Sequence, residues 1–93
     1  MGEPTVVSQL ARIQCQPGKA AQLISELQVL ETCTRREPGC QEFTFYQAIS
    51  DASEFVLIER FHDAQALQCH MDADHTQRFF ALGWVTAIRV QPL

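Results

Sequence analysis

A chain of 93 residues has room for one domain, spanning 1–93, and a domain of that size buries only roughly 60–65% of the surface its unfolded chain exposes. The apolar fraction of 46% and charged fraction of 19% are those of an ordinary globular chain, with no stretch near the roughly 18 apolar residues a membrane helix needs. Net charge is −4, and Arg35–Arg36 is followed at once by Glu37, which excludes the clustered basic stripe required for nucleic-acid binding.

Met1-Gly2-Glu3-Pro4-Thr5 has no basic stretch followed by an apolar run, so no secretory signal and a cytoplasmic location are expected. From Val6 to Cys15 the pattern alternates, with Val7, Gln9, Ala11, Ile13 and Cys15 on one face, which reads as a strand. Pro17-Gly18 breaks it. Lys19 to Arg36 changes period: Ala20, Leu23, Ile24, Leu27, Leu30 and Thr34 form one stripe of a helix that Pro38-Gly39 ends. Cys40 to Ala48, carrying Phe43, Thr44, Phe45 and Tyr46, is a second strand, and Glu54 to His62 a third, joined by the polar turn Ser50-Asp51-Ala52-Ser53. Asp63 is placed to cap a short helix through Met71, and Asp74 to cap another from His75 to about Leu82. Gly83 closes that helix, and Val85 to Val90 is the last strand.

The order βαββαβ, with its second helical region broken in two, builds a four-stranded antiparallel sheet with helices on one face. Strand 54–62 is apolar on both faces, Phe55, Leu57 and Phe61 on one and Val56 and Ile58 on the other. Helices can cover only one of these, so a homodimer packed through its sheet faces is expected.

Several residues have the chemistry for a site. Glu59 shares a face with Phe55, Leu57 and Phe61, so desolvation is expected to raise its pKa unless a donor or cation offsets it. His70 lies on the adjoining helix and is the expected partner of Glu59, either as part of a site or as a core pair that pins helix to sheet. His75 stands at a helix start, where the dipole disfavours a charged imidazolium, and is either a base beside a pocket or a surface side chain. The cysteines Cys15, Cys33, Cys40 and Cys69 contain no C-x-x-C pair and are expected as free, small buried groups. Cys69 and His70 point about 100° apart on a helix, so no metal site is expected there with Asp72 and His75. There is no G-x-G-x-x-G, G-x-S-x-G or P-loop, which leaves nucleotide and hydrolase chemistry without support. The aromatic residues are mostly core, the remainder being available to line a slot for a flat ligand.

Pro17-Gly18-Lys19, Glu37-Pro38-Gly39-Cys40, Glu59-Arg60-Phe61, Ala66-Leu67, His70, His75 and Phe79 stand in an order and spacing that resembles the antibiotic-biosynthesis monooxygenase-like family of the dimeric α+β barrel superfamily. The resemblance covers about Val6 to Val90. It implies an α+β, ferredoxin-like fold, a dimer and a pocket between sheet and helices. The family often has Trp where this chain has Phe61. The haem-degrading branch uses an Asn, a Trp and a His where Ala11, His70 and Phe80 stand here, which disfavours haem degradation.

The activity so implied is oxygenation of a small quinol, phenol or enol-bearing aromatic without a cofactor. His75 or His70 would take the hydroxyl proton and Glu59 would orient the imidazole. Tyr46 and Trp84 would hold the ring, with Phe61 and Phe79 beside it. Two rivals use the same residues differently: a base-catalysed isomerase of a small hydroxyketone, and a non-catalytic ligand-binding or stress-related dimer whose Glu and His are structural.

Overall fold

The computed structural model describes residues 5–93; the signal-peptide expectation, which rests on Met1–Thr5, falls mostly outside them. The elements are β1 (Val7–Cys15), α1 (Ala20–Arg35), β2 (Cys40–Gln47), β3 (Glu54–Phe61), α2 (Ala64–Asp72), α3 (Asp74–Ala81) and β4 (Val85–Pro92). The strands form one antiparallel sheet in the order β2-β3-β1-β4, the ferredoxin-like arrangement expected from the sequence.

Register fixes which side chains share a face. Ala11 pairs with Leu57 and Ile13 with Phe55, while Phe43 pairs with Glu59, so these six point to the helix-covered side. There they meet Leu23, Leu27 and Leu30 of α1 and Phe79 of α3 in the core. The opposite face carries Leu10, Val56, Ile58 and Tyr46 among the ion pairs Arg12–Glu54 (3.9 Å) and Arg60–Glu42 (3.4 Å).

Three local features set the geometry of the helices. Gly18 turns from β1 into α1 at φ +80°, a conformation that favours a residue without Cβ. The α1 side chains Glu31 and Arg35 serve β2, Glu31 accepting from Phe45 N–H at 2.7 Å and Arg35 Nε donating to the Phe43 carbonyl at 3.0 Å. That edge strand is therefore partly satisfied by α1. Asp63 caps α2 as expected, accepting from Ala66 N–H at 2.8 Å.

Asp74 does not cap the next helix. Ala73 ends α2 and starts α3 in one extended residue (φ −64°, ψ 147°), and Asp74 falls inside the first turn of α3, where its charge complements the exposed N–H groups. The cysteines are all free, but only Cys15 is buried; Cys33 and Cys40 are half-buried and Cys69 is exposed. Among the described residues no helix is long and apolar enough to cross a membrane.

Candidate active site

The helices leave a gap over the sheet. Contacts to the sheet come chiefly from α1 on β2 and α2 on β3, so Ile88 and Val90 of β4, which point to the helix side, remain exposed. Into this gap opens a cavity of about 290 Å³, walled by Phe43, Phe45, Leu57, Phe79, Phe80 and Ile88, with Met71 and Val90 also on its lining. Its polar lining is limited to Gln9, Glu59, His70 and Thr76. A mostly apolar hollow with a few convergent polar groups is the form small-molecule sites take.

Two local structures bring a carboxylate to the histidines behind this wall. After α1 the chain turns through Glu37-Pro38-Gly39-Cys40, held by Glu37 N–H to the Thr34 carbonyl (2.9 Å), Cys40 N–H to the Glu37 carbonyl (3.1 Å) and His62 N–H to the Gly39 carbonyl (2.8 Å). On the other side, the break at Ala73 sets His70 in the last turn of α2 and His75 in the first turn of α3, their rings 6.1 Å apart. Both reach the same oxygen: Glu37 Oε2 lies 2.9 Å from His70 Nδ1 and 2.6 Å from His75 Nε2.

A carboxylate only accepts, so each imidazole presents an N–H to it. That assigns the proton of a neutral His70 to Nδ1 and leaves Nε2 as its free acceptor. The His70 ring is further held by Thr76 Oγ1 at 3.3 Å from Nδ1 and by the Phe43 and Phe61 rings, each with its centroid 5.1 Å away. It is buried, so its exchange with ligand or solvent runs through the cavity.

Glu59 stands apart from this cluster. The expected hydrogen bond between Glu59 and His70 is not made, because Glu37 has taken the imidazole from the helix side while Glu59 rises from the centre of β3 between Gln9 and Phe43. No protein donor reaches the Glu59 carboxyl among the described residues, and burial pushes its pKa up to about 7.

The aromatic residues expected at a ligand are divided. Phe79 lines the cavity. Phe61 is fully buried behind His70, Tyr46 is exposed on the opposite face of the sheet, opposite Val56, and Trp84 packs at the core's margin under Lys19, whose Nζ is 5.4 Å from the ring centroid. Phe43, Phe45 and Phe80 occupy the wall positions instead. Strand parity separates Phe45 from Tyr46, one facing the helices and the next facing away, and this signal was available in the alternation of β2.

Glu37, His70 and His75 offer three ligand atoms within 4.8 Å of one another, a donor set that suits zinc. Their spacing is that of hydrogen bonds to one shared oxygen; tetrahedral coordination at about 2.0–2.1 Å places ligand atoms about 3.3 Å apart, and Glu37 would have to withdraw from both rings to admit a cation.

The sequence profile of the antibiotic biosynthesis monooxygenase family matches residues 6–82. The chain belongs to that family. It is 30% identical over 73 residues to "Putative monooxygenase YcnE" of Bacillus subtilis, covering 78% of this chain and 77% of that protein. Among solved structures, PA3566 from Pseudomonas aeruginosa superposes with a TM-score of 0.90 at 28% identity, over 100% of this chain and 96% of that one. Rv0793 from Mycobacterium tuberculosis gives a TM-score of 0.85 at 28% identity, over 96% and 93%. The family relationship supports a monooxygenase-like function and agrees with the fold read from the sequence.

Proposed function

We propose that this family member oxygenates a small quinol or enol-bearing aromatic without a cofactor, with His70 as the general base. The carrying observation is the Glu37–His70 hydrogen bond of 2.9 Å at the back of an apolar cavity. Glu37 holds the His70 proton on Nδ1, so Nε2 is the atom that takes the hydroxyl proton of the ligand. As His70 becomes imidazolium, the carboxylate stabilises the new charge, and His75, bonded to the same oxygen, shares that interaction.

The remainder is substrate chemistry. A 1,4-dihydroxynaphthalene anion is electron-rich enough to give electrons to O₂ directly. One oxygen atom enters the ring and the other leaves as water with two hydrogens from the substrate, giving a 2-hydroxy-1,4-naphthoquinone; the four electrons lost by the ring are those gained by O₂. The protein's part is to lower the cost of deprotonation, which a positioned base does by typically about 10²–10⁴-fold. Phe79 supplies a face for the ring; Phe61 acts through His70. Tyr46 and Trp84 have no direct contact with a ligand in this cavity, and neither is needed for the reaction.

We further propose a cytoplasmic homodimer paired through the outer sheet faces. Support comes from Leu10, Val56 and Ile58 on a face that no helix of the described residues covers and, for the location, from the four unpaired thiols.

The test is oxygen uptake with 1,4-dihydroxynaphthalene. Glu37→Gln, whose amide oxygen can still accept from both rings but carries no negative charge to stabilise the imidazolium, is expected to lose most of the rate, roughly 10²-fold or more. His70→Ala should lose at least as much. Unchanged uptake in both variants, or none in the parent across a panel of quinols and anthrones, would remove this reading and leave the isomerase or binding-module alternatives.

A further inference from the structure

We infer that Glu59 works as a neutral carboxylic acid donating a hydrogen bond to a carbonyl oxygen of the ligand, so that the cavity selects rings bearing an acidic hydroxyl conjugated to a carbonyl. The inference deepens the proposed function, since it takes His70 as the group that faces the hydroxyl.

The argument begins with what lines the cavity. Glu59 and His70 are its two titratable groups. His70 arrives with Glu37 and Thr76 on Nδ1, whereas Glu59 arrives with no donor at all among the described residues. A buried carboxylate left without a donor is costly; a buried carboxylic acid needs only an acceptor for its O–H. Among the described residues no lysine or arginine lines the cavity to reverse this. From β1 comes Gln9, from β2 Phe43 and the half-buried thiol of Cys40, from α1 Leu30, from α3 Thr76 and Phe79, from α2 His70 itself, and from β4 Ile88 and Val90. The pKa of about 7 agrees with the same conclusion, so near neutral pH a large share of the molecules carries the proton.

Two polar groups of opposite task in one apolar hollow define a ligand. His70 Nε2 accepts, and Glu59 O–H donates. A hydroxyl conjugated through a ring to a carbonyl satisfies both, and when its proton leaves, the negative charge spreads onto the carbonyl oxygen, where a fixed donor in an apolar site stabilises it. A carboxylic acid kept neutral by an apolar site is a known means of holding such an oxyanion. A simple phenol offers His70 its hydroxyl and leaves Glu59 unpaired. The cavity volume of about 290 Å³ lies at the low end of the roughly 300–1,000 Å³ typical of ligand sites, which suits one or two fused rings.

The experiment uses 2-hydroxy-1,4-naphthoquinone as probe, without oxygen turnover, with binding followed by its visible absorbance between about pH 5 and pH 9 and 1-naphthol as the ligand lacking a carbonyl. The parent is expected to bind the quinone at least about tenfold more tightly at the acid end than at the alkaline end, where a Glu59 carboxylate would oppose the ligand anion. Glu59→Gln keeps a donor that cannot ionise and should lose most of the parent's pH dependence across that range. Glu59→Leu should lose about tenfold for the quinone and little for 1-naphthol. Far-ultraviolet circular dichroism of each variant reports whether it is folded. The inference is overturned if the probe fails to bind the parent, if Glu59→Gln keeps the parent's full pH dependence, or if Glu59→Leu binds the quinone as the parent does. Oxygen uptake with 1,4-dihydroxynaphthalene, which has no carbonyl for Glu59, is measured separately: pH-dependent binding of the quinone without uptake refutes the monooxygenase reading alone, and uptake without Glu59-dependent binding of the quinone refutes the role of Glu59 alone.

Discussion

Replacing Glu59 by Gln should make the protein more stable at alkaline pH and leave it nearly unchanged at acid pH. Burial raises the Glu59 pKa from the ordinary 4.5 to about 7 in the folded state. Between those values the folded protein holds a proton that the unfolded chain has released, so stability falls as pH climbs through this window; below it both states hold the proton and the cost is absent. At 1.36 kcal/mol per pH unit, the gap between 4.5 and about 7 amounts to about 3 kcal/mol at full ionisation. Gln has the same shape and no charge, so the variant lacks this loss. The difference in unfolding free energy between variant and parent should therefore grow by about 3 kcal/mol, in favour of Glu59→Gln, from about pH 4 to about pH 8. Other titrating groups contribute to both proteins and cancel in the difference. Urea denaturation at fixed protein concentration over that range reads it directly, and in a domain of this size the alkaline-end shift in melting temperature exceeds about 10 °C. A difference that stays flat with pH would refute the desolvated Glu59 and, with it, the donor role.

Other perturbations test the scaffold around the site. A methyl at Gly39 would overlap the Ala66 side chain at the start of α2, so Gly39→Ala should cost about 1–3 kcal/mol in chemical denaturation and displace the helix that carries His70. Asp63→Ala removes the cap accepting from Ala66 N–H and should cost about 1 kcal/mol, read by the same method. Ile58→Asp puts a charge on the outer sheet face; sedimentation should show the parent as a dimer at micromolar concentration and the variant as monomer or unfolded, and a monomeric parent would sink the proposed pairing.

The scaffold was legible because periodicity reports burial. The alternation of Ala11, Ile13 and Cys15 and of Phe55, Leu57, Glu59 and Phe61 states which face of each strand meets the helices, and all seven are buried. The i, i+3, i+4 spacing of Leu23, Leu27 and Leu30 does the same for α1. The pairing of the polar groups was less accessible. Glu59 and His70 both line the cavity, yet the hydrogen bond expected between them is not made, and the imidazole is bonded to Glu37, 33 positions away in a turn. Sequence pattern places a residue on a face but does not decide between two carboxylates that could reach it. A signal for Glu37 was present, an acidic residue at the pinned turn Pro38-Gly39, and so was the parity that sends Tyr46 away from Phe45. The exposure of Cys69 follows from its place on α2 beside the inward-facing His70, about 100° round the helix.

The helix break at Ala73 connects these observations. In one unbroken helix, positions 70 and 75 would be about 500° apart along the spiral, or about 140° between their directions, and could not meet one carboxylate oxygen. The extended residue at Ala73 restarts the helix on a new axis and turns His75 back toward Glu37. Splitting one long helix into α2 and α3 also shortens the cover over the sheet, leaving Ile88 and Val90 bare and opening the cavity beside His70. A single backbone feature thus assembles the carboxylate–imidazole cluster and provides the space in front of it. In a domain with so thin a core, that space costs apolar contacts, and the buried Glu59 adds a further cost above its ordinary pKa. Structure alone has no use for an unpaired carboxyl facing an apolar hollow, whereas a ligand with an acceptor oxygen completes it.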